Sequence, residues 1–441
     1  MPRRCYKLLL LLAAICLVVI AIFPLVGFGN LFQVGDVFRT DTSTRTRFDS
    51  LSSLASNLIE LFREAAPVPH IITLSHSVET SKEHQPEELA AALKMDSDDV
   101  SKMIEIHRSI VERLPRYSPR LFHGRGIVMV GGGRFLRIAL LSIRLLRGAG
   151  TDLPIEFWFG DADEYNPLFC SEVDPLNVQC RVLANYLGDG AIGRYQLKAF
   201  AILFSRFKEV LYLDADDFPV APVDDIFDTA KYKSTGAVIW PDYWGATVSP
   251  WLFQIIGQPQ QFTATCETGQ LMWNKQTHFL SLLLACYYNF YGPDYFYPLL
   301  SLGAAGEGDK ETFLIACQVF NEPYTFIEQG VGTLGYHDNI DFHGTAMRQA
   351  DPRNVSRYLF IHAHFPKLDG QSLFSSGPMH LSDGNPIPSF WGNSAREMAG
   401  YDVELAAFRE MGYIECESLL RNEADASVCN RVRERIREIG G

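Results

Sequence analysis

From about residue 124 onward, short apolar runs alternate with longer segments of helical periodicity, and this alternation constrains the fold more than any other feature. The strand candidates are GIVMV, PIEFWFG, VQCRVL, EVLYLDAD and AVIW. RFLRIALLSIRLLRGAG and RYQLKAFAILFSRF have apolar residues at helical spacing. Strands that alternate with helices indicate βαβ units. We therefore predict an α/β domain of Rossmann type, with a mostly parallel sheet flanked by helices.

A glycine triplet follows the first strand candidate and precedes a helix. It consists of Gly131, Gly132 and Gly133. Ligands of such sheets bind beyond the carboxyl ends of the strands, and helix N-termini favour phosphate. A tight turn is the simpler explanation of three glycines, because neither GxGxxG nor a Walker lysine is present. The position of the triplet is what favours a binding role.

The stretch LYLDADDFPV ends an apolar run in three carboxylates. Asp214 and Asp216 alternate along an extended segment, which predicts both side chains on one side, where they can share a cation. Oxygen ligands suit Mg²⁺ or Mn²⁺ better than zinc. Asp217 is predicted to point the other way and to orient the following turn. The alternative is an acidic strand end that caps a neighbouring helix. A second copy, Asp161-Ala-Asp163, is interpreted as surface acid.

Two segments near this strand carry further candidates. Lys198 lies on the preceding helix, where its amine can reach a phosphate as a point charge. An exposed helix lysine is the alternative. CETGQLMWNK is predicted to place Glu267 and Gln270 in a polar turn before a helix, and an N-capping role is the alternative there.

The C-terminal half adds an acidic helix start and a histidine pair. GEGDKETF places Asp309 and Lys310 at the start of a helical run, where an acid is also an ordinary first-turn residue. IHAHFPK gives His362 and His364 at a spacing of two after an apolar strand, so both are predicted to face one side. Histidines satisfied within a core are the alternative, but a site with two aspartates needs a third metal ligand.

The N-terminus predicts a membrane anchor. LLLLLAAICLVVIAIFPLVGFG contains no charge and is as long as the roughly 20 residues that a membrane-spanning helix needs. A cleaved signal peptide is the alternative, but its apolar region is usually about 7–15 residues and ends in a small-residue site. The basic residues before the run predict a cytoplasmic tail over residues 1–7 and an anchor over residues 8–28. The remainder is then luminal, in a type II arrangement.

Composition and cysteine usage agree with a large luminal protein. Residues 29–118 contain two helical stretches and are predicted to form a stem, and residues 119–441 the catalytic domain. Hydrophobic residues make up 47% of the chain, enough for a large core, and the net charge of -13 argues against nucleic acid as a partner. Cys170–Cys180 and Cys416–Cys429 are the predicted disulfides, and an odd cysteine number after the anchor leaves at least one free thiol. Asn354-Val355-Ser356 is a glycosylation sequon.

Four motifs in fixed order behind a type II anchor resemble one known family. YLDADDFPV, CETGQLMWNK, GDKETF and IHAHFPK resemble the fungal MNN-type α-mannosyltransferases, glycosyltransferase family 71, over roughly residues 124–373. The resemblance favours the α-1,2 branch. It implies a GT-A-like domain, GDP-mannose as donor, Mn²⁺ or a similar divalent cation, and retention of the anomeric configuration. It also implies a mannose-containing glycan acceptor, cell-wall mannan among them, and the Golgi membrane with a possible transferase complex.

The resemblance also assigns roles to residues. Asp216 is expected to ligate the metal and Asp214 to contact the ribose or the metal, with His362 as first and His364 as second choice for the remaining ligand. Other sugar-donor contacts are expected from the glycine triplet, Lys198, Gln270 and Lys310. The catalytic carboxylates are expected to be Glu267 and Asp309.

Three other functions and two mechanisms remain open at the level of sequence. The rival functions are a retaining transferase for another linkage or for UDP-glucose or UDP-galactose, a metal-dependent phosphodiesterase, and a non-catalytic glycan-binding subunit. Retention can proceed through a transient covalent intermediate on a carboxylate. It can also proceed by a front-face reaction in which the departing phosphate takes the proton of the acceptor hydroxyl.

Overall fold

The described part of the chain begins after the predicted anchor. The computed structural model describes residues 45–80, 84–260, 265–304, 306, 308–338, 340–376, 380–381, 383–421 and 426–440. Residues 1–28, the predicted tail and anchor, lie outside these ranges. Within them, no helix is both long and apolar enough to cross a bilayer. The anchor, the stem and the boundary at residues 118–119 therefore stay predictions.

Strands in the described residues form two sheets. The strands are β1 (Arg125–Val130), β2 (Ile155–Phe159), β3 (Val178–Val182), β4 (Glu209–Leu213), β5 (Asp217–Pro219), β6 (Ala237–Pro241), β7 (Cys266–Asn274), β8 (Thr325–Phe326), β9 (Gly332–His337), β10 (Phe342–Asp351) and β11 (Asn354–His362). The large sheet has the order β3-β2-β1-β4-β7-β6-β8, and the small sheet has the order β5-β11-β10-β9.

The large sheet is parallel except at β7, which confirms the predicted α/β class. β1 pairs in parallel with β2 and with β4, while β7 runs antiparallel between β4 and β6. The strands β2 and β6 are buried along their whole length, as expected of apolar runs covered on both faces. All five predicted strands are present.

The predicted polar turn at Glu267 and Gln270 is wrong. Both residues lie inside β7, which is buried over nearly its whole length, and Gln270 pairs with Leu213 of β4. The sequence CETGQ is too polar to be recognised as a buried strand, because its polar side chains face the cluster described below rather than solvent.

Helices pack against the sheets. One apolar core contains residues of the helices, of the large sheet and of the small sheet. The helices are α1 (Leu51–Glu64), α2 (Pro86–Ala92), α3 (Ser97–Arg113), α4 (Leu136–Gly148), α5 (Pro167–Val173), α6 (Ala184–Leu187), α7 (Leu197–Phe204), α8 (Ala230–Thr235), α9 (Pro250–Ile256), α10 (Phe279–Phe290), α11 (Tyr297–Ser301), α12 (Lys310–Phe320), α13 (Gly370–Ser376), α14 (Gly392–Ala399), α15 (Val403–Cys416) and α16 (Ala426–Gly440).

The second of the two helical stretches predicted within residues 29–118 is divided into two helices, α2 and α3. Asp96 ends the connection between α2 and α3, and its carboxylate accepts a hydrogen bond from the Asp98 N–H, which caps α3. An aspartate at an N-cap stabilises a helix start by satisfying one of its free N–H groups. The two predicted disulfides, Cys170–Cys180 and Cys416–Cys429, are confirmed. The other cysteines in the described ranges, Cys266, Cys286 and Cys317, are buried free thiols.

Residues of the predicted stem pack on the helix α10. The Tyr287 hydroxyl donates to the Ala65 carbonyl (2.7 Å), and His107 of α3 bonds through Nε2 to the Tyr288 hydroxyl (2.8 Å). Burial lowers the pKa of His107 to about 3. The ring is therefore neutral in the folded protein at any ordinary pH, whereas in the unfolded chain it takes up a proton near its usual value of 6.5.

We expect acid to weaken this packing. Below about pH 6.5 the unfolded chain binds a proton at His107 that the folded protein does not, so lowering the pH from about 7.5 to about 5 should cost about 2 kcal/mol of unfolding free energy. The His107→Gln variant lacks this titration and should lose about 2 kcal/mol less over the same range. Urea unfolding of both proteins at the two pH values measures the difference, and equal losses would contradict the assignment.

Candidate active site

The tip of β4 is a tight turn where the chain leaves the large sheet for the small one. The Asp217 N–H donates to the Asp214 carbonyl (3.1 Å), and the Ala215 carbonyl accepts from the Ser142 hydroxyl of α4 (2.7 Å). The extended geometry predicted for Asp214 and Asp216 is therefore wrong. Their carboxylates still converge, because the ligand atoms of Asp214, Asp216 and His362 all lie within 4.8 Å of one another.

Asp216 is held from both sides by cations. Its Oδ1 lies 3.2 Å from His362 Nε2, its Oδ2 is ion-paired with the Lys367 amine, and its carbonyl accepts from the Ala363 N–H (2.9 Å). Burial alone would raise the pKa of Asp216, but His362 and Lys367 outweigh it and hold the pKa below its usual range. Asp216 is therefore an ionised carboxylate, as a metal ligand must be.

His362 ends β11 and links two acids. Its register position is opposite Asp217, and its Nδ1 lies 3.3 Å from Glu267 Oε1. Burial would lower the pKa of His362, but the ionised Asp216 and Glu267 raise it well above its ordinary value. His364 lies past the strand end, is exposed, and is not brought into the cluster, so of the two predicted histidines only His362 lies among candidate ligands.

Glu267 and Gln270 contribute buried polar atoms from β7. Glu267 Oε1 accepts from the Gly269 N–H (2.7 Å), and His362 is the main reason that the pKa of Glu267 stays low despite a burial that would raise it. Glu267 Oε2 and both amide atoms of Gln270 are buried without a hydrogen-bond partner among the described residues. Each such atom costs about 1–3 kcal/mol if left unsatisfied, so these positions are suited to ligand hydroxyls.

Lys198 is buried, which excludes an exposed helix lysine. Its amine donates to the Thr268 carbonyl (2.7 Å) and hydroxyl (2.9 Å). The same amine lies 3.4 Å from Asp214 Oδ1 and 3.3 Å from Asp309 Oδ2. Burial would lower the pKa of Lys198, but these two carboxylates and Glu267 raise it above its ordinary value. Lys198 is thus the fixed positive charge between the two acids.

Asp309 immediately precedes α12, as predicted. Burial raises the pKa of its carboxyl to about 6, although Lys198 opposes this shift. Lys310 turns to another partner, and its amine lies 2.9 Å from Asp242 Oδ2. Asp309 thus joins the cluster, whereas the structure places Lys310 beside it.

Asp217 does not orient an exposed turn. It is fully buried in β5, and neither carboxylate oxygen has a hydrogen-bond partner in the described part of the chain. Burial raises the pKa of Asp217 well above its usual value. Its place opposite His362 in the sheet brings it close to the same histidine and to Glu267.

The glycine triplet lies beside the cluster. In the parallel register of β1 and β4, Met129 pairs with Leu213, so the triplet and the aspartate turn follow neighbouring strand ends. A cleft of about 250 Å³ adjoins them. Its walls come from the segment after the triplet and from the loop after β11, and they include Arg134, Phe135, Ile138, Phe365 and Lys367.

Sequence reasoning missed Lys367 and Arg134. Lys367 is part of the motif IHAHFPK, but the contact of its amine with Asp216 depends on the loop after β11. Arg134 directly follows the triplet, and a basic residue after a glycine turn is a signal that could have been used.

The donor set fits a divalent cation with a preference for oxygen ligands. Asp214 and Asp216 supply carboxylates and His362 an imidazole, which suits Mn²⁺ or Mg²⁺. Two positively charged side chains already lie at this site, since Asp216 is paired with both His362 and Lys367. These two cations therefore already compensate Asp216, and a bound metal ion would replace them at this carboxylate.

Comparison with known proteins places the chain in a family. Residues 124–264 and 258–351 match the mannosyltransferase family Mannosyl_trans3. The chain belongs to this family. Alpha-1,2-mannosyltransferase MNN2 of Saccharomyces cerevisiae is 31% identical over 75% of this chain and 70% of the relative. Alpha-1,2-mannosyltransferase MNN21 of Candida albicans is 30% identical over 79% of this chain and 67% of the relative. The predicted family and the prediction of a mannosyltransferase are confirmed.

Two solved glycosyltransferase structures show weak likeness to this mannosyltransferase. The galactosyltransferase LgtC, bound to donor and acceptor sugar analogs, gives a TM-score of 0.34 at 14% identity over 62% of this chain and 95% of that one. The glycosyltransferase GlyE of Streptococcus pneumoniae gives a TM-score of 0.31 at 15% identity over 47% of this chain and 46% of that one. TM-scores this low give no information about the site of this chain.

A methyl group at Gly269 should damage the site. A Cβ there would lie 2.6 Å from His362 Nδ1 and 2.8 Å from Glu267 Oε1, so Gly269→Ala must push the two side chains apart. Displacements of this size near a reacting centre cost on the order of tenfold to hundredfold in rate. We expect that loss in the mannosyl transfer rate of the purified protein.

The matched control for this substitution is Gly330→Ala. A Cβ at Gly330 meets nothing within 4 Å, and this exposed glycine lies outside the cluster. The control should transfer at the wild-type rate, and circular dichroism should show both variants folded. Wild-type transfer by Gly269→Ala would contradict the geometry.

Proposed function

We propose that this mannosyltransferase is a retaining α-1,2-mannosyltransferase that uses GDP-mannose and a divalent cation, Mn²⁺ or a similar ion. The acceptor is a mannose residue of mannan or of an N- or O-linked glycan. The observation that carries the proposal is the convergence of Asp214, Asp216 and His362 at the end of a parallel strand in a member of this family. The names of the relatives support the α-1,2 linkage.

A GT-A-like catalytic domain in the Golgi lumen is part of the same proposal. The α/β architecture, with ligand-binding residues at the carboxyl ends of β1 and β4, supports a nucleotide-sugar fold. The uncharged run over residues 8–28, with basic residues before it, supports a type II anchor.

Asp214, Asp216 and His362 would hold the cation. When bound, such an ion neutralises the negative charge that develops on a departing nucleoside diphosphate. The protein's own contribution is to fix the three ligands. Tyr212 donates its hydroxyl hydrogen bond to Asp214 Oδ1 (2.7 Å), and Gly269 accepts from the Asp214 N–H (2.7 Å). Ligands fixed by such bonds need no rearrangement before the reaction.

The cleft beside the glycine triplet is the proposed nucleotide-binding site. It joins the triplet to Lys367, whose amine contacts Asp216, and it carries the guanidinium of Arg134. Phe135 and Ile138 form an apolar wall, and apolar walls with a few charged groups are the ordinary composition of nucleotide sites. The donor thereby lies between the triplet and the metal ligands.

Asp309 is the favoured proton acceptor among the predicted catalytic carboxylates. A group whose pKa lies at about 6 can exchange a proton near neutral pH. Glu267 is instead held by the Gly269 N–H and by His362, which suits a positioning role. In the front-face route the departing phosphate would take the proton of the acceptor hydroxyl, and Asp309 would instead orient that hydroxyl.

The donor assignment is tested on the purified full chain in detergent. We expect mannose transfer to an α-mannoside from GDP-mannose, dependent on Mn²⁺ and abolished by EDTA. UDP-glucose, UDP-galactose and UDP-N-acetylglucosamine should be inactive. Magnetic resonance of the product should show an α-1,2 linkage. Transfer from a UDP-sugar, or full activity in EDTA, would overturn the donor or the metal assignment respectively.

A matched pair of aspartate variants tests the metal ligands. Asp216→Asn should lower transfer by on the order of a hundredfold or more and should weaken Mn²⁺ binding measured by calorimetry, because it removes a charged ligand. Asp163→Asn alters the exposed second Asp-x-Asp copy and should leave both quantities unchanged. Unchanged Mn²⁺ binding by Asp216→Asn would refute the ligand set.

A further inference from the structure

Two large aromatic rings are exposed beside the charged cluster. Tyr195 is 58% exposed and Trp244 is 39% exposed. Trp244 is the most exposed of the six tryptophans, since the others are buried or, for Trp251, partly buried. Surface aromatic rings grouped at one place mark interaction sites more often than isolated ones do.

Both rings approach one short segment, which leads into Asp309. A Cβ at Gly308 would lie 3.2 Å from the Tyr195 ring, and a Cβ at Gly306 would lie 3.6 Å from Trp244 Cδ1. Tyr195 precedes α7, whereas Trp244 follows β6, so the fold brings two rings that are distant in sequence to glycines two residues apart. Each ring therefore lies near a glycine that shortly precedes Asp309.

The rings are continuous with the site. Tyr195 is three residues before Lys198, whose amine lies 3.3 Å from Asp309 Oδ2 and 3.4 Å from Asp214 Oδ1. On the other side, Trp244 is two residues past Asp242, which is ion-paired with Lys310 at 2.9 Å. The aromatic surface thus begins where the carboxylate cluster ends.

The neighbourhood also offers unsatisfied polar atoms. Asp309 is 4% exposed and its Oδ2 pairs with the Lys198 amine (3.3 Å), whereas the fully buried amide of Gln270 has no hydrogen-bond partner in the described ranges. A pyranose ring has an apolar C–H face and a polar rim of hydroxyls. Aromatic faces next to unsatisfied polar atoms match both surfaces of a sugar, as in other sites that combine apolar walls with a few placed polar groups.

The residue next to each ring is constrained before any ligand binds. Arg194 adopts a left-handed backbone conformation (φ 53°), which is uncommon for a residue with a side chain and is kept where the surroundings enforce it. Tyr243, next to Trp244, donates its hydroxyl to the Gly332 carbonyl (2.8 Å). Groups fixed in advance lose less entropy on binding a ligand.

We propose that Tyr195 and Trp244 form the acceptor platform, on which mannose residues of the acceptor glycan stack with their C–H faces while a hydroxyl reaches the Asp309 side. This inference rests on the proposed function and adds the residues that select an uncharged mannoside as acceptor. Tyr243 is a positioning residue that fixes the backbone next to Trp244.

The test separates acceptor binding from catalysis. An α-linked mannotriose is titrated into the full chain without donor, and its affinity is measured by calorimetry. Tyr195→Ala and Trp244→Ala should each weaken binding by about tenfold, because each removes a stacking face. In transfer assays the acceptor KM should rise by a similar factor, while the donor KM changes by less than about twofold.

Two further variants control for folding and for exposure. Trp244→Phe retains an aromatic face and should bind mannotriose within about threefold of the wild type, while the tryptophan emission change caused by mannotriose in the wild type should vanish. Tyr401→Ala removes a ring that is equally exposed, at 39%, but lies near the C-terminal helices, and it should bind as the wild type does.

Each result decides between distinct conclusions. Unchanged mannotriose affinity in both alanine variants would overturn the platform. So would a rise in the donor KM alone, which would assign the rings to the nucleotide. If the wild type transfers no mannose yet binds mannotriose through these rings, the platform stands and the proposed function fails. If it transfers mannose and the alanine variants keep the wild-type acceptor KM, only the platform fails.

Discussion

The pairing of Asp216 with His362 is the interaction on which the site depends. Asp216 lies in the turn after β4 of the large sheet, and His362 ends β11 of the small sheet. Their 3.2 Å contact, together with the backbone bond from Ala363 to Asp216, joins the two sheets where the ligands must meet. A charge pair this well buried is tolerated only when further charges compensate both partners, and Lys367 does so for Asp216 and Glu267 for His362.

Charge balance around this pair explains why so many acids can share one place. Asp214, Asp216, Glu267, Asp309 and Asp217 face three cations, which are Lys198, His362 and Lys367. Burial raises the pKa of Asp217 well above its usual value and the pKa of Asp309 to about 6. Asp214, Asp216 and Glu267 are each paired with one of the three cations, so the fold carries an acidic centre without a large excess of buried negative charge. A bound divalent cation would add positive charge to a cluster whose carboxylates are already paired with cationic side chains.

The parts of the fold governed by local pattern could be predicted from sequence. Apolar runs such as GIVMV and the helix-periodic RFLRIALLSIRLLRGAG were sufficient for the parallel sheet, and the short spacing of Cys170 from Cys180 was sufficient for that disulfide. β7 could not be recognised, because its polar residues face a cluster assembled from other strands. The turn at Asp214 was mistaken for a strand, because the switch between sheets depends on long-range pairing with β11. The metal-ligand candidates were found through motifs, whereas the contact of Lys367 with Asp216 has no local signal.

The late position of His362 in the chain has a consequence for the order of assembly. The strand β4 and the two aspartates that follow it are synthesised long before β11, and contacts between distant segments form slowly. A nascent or truncated chain that has built only the large sheet therefore lacks the imidazole and the pairing strand for β5. The three candidate ligands therefore meet only after the small sheet has docked, so a complete ligand set marks a late stage of folding.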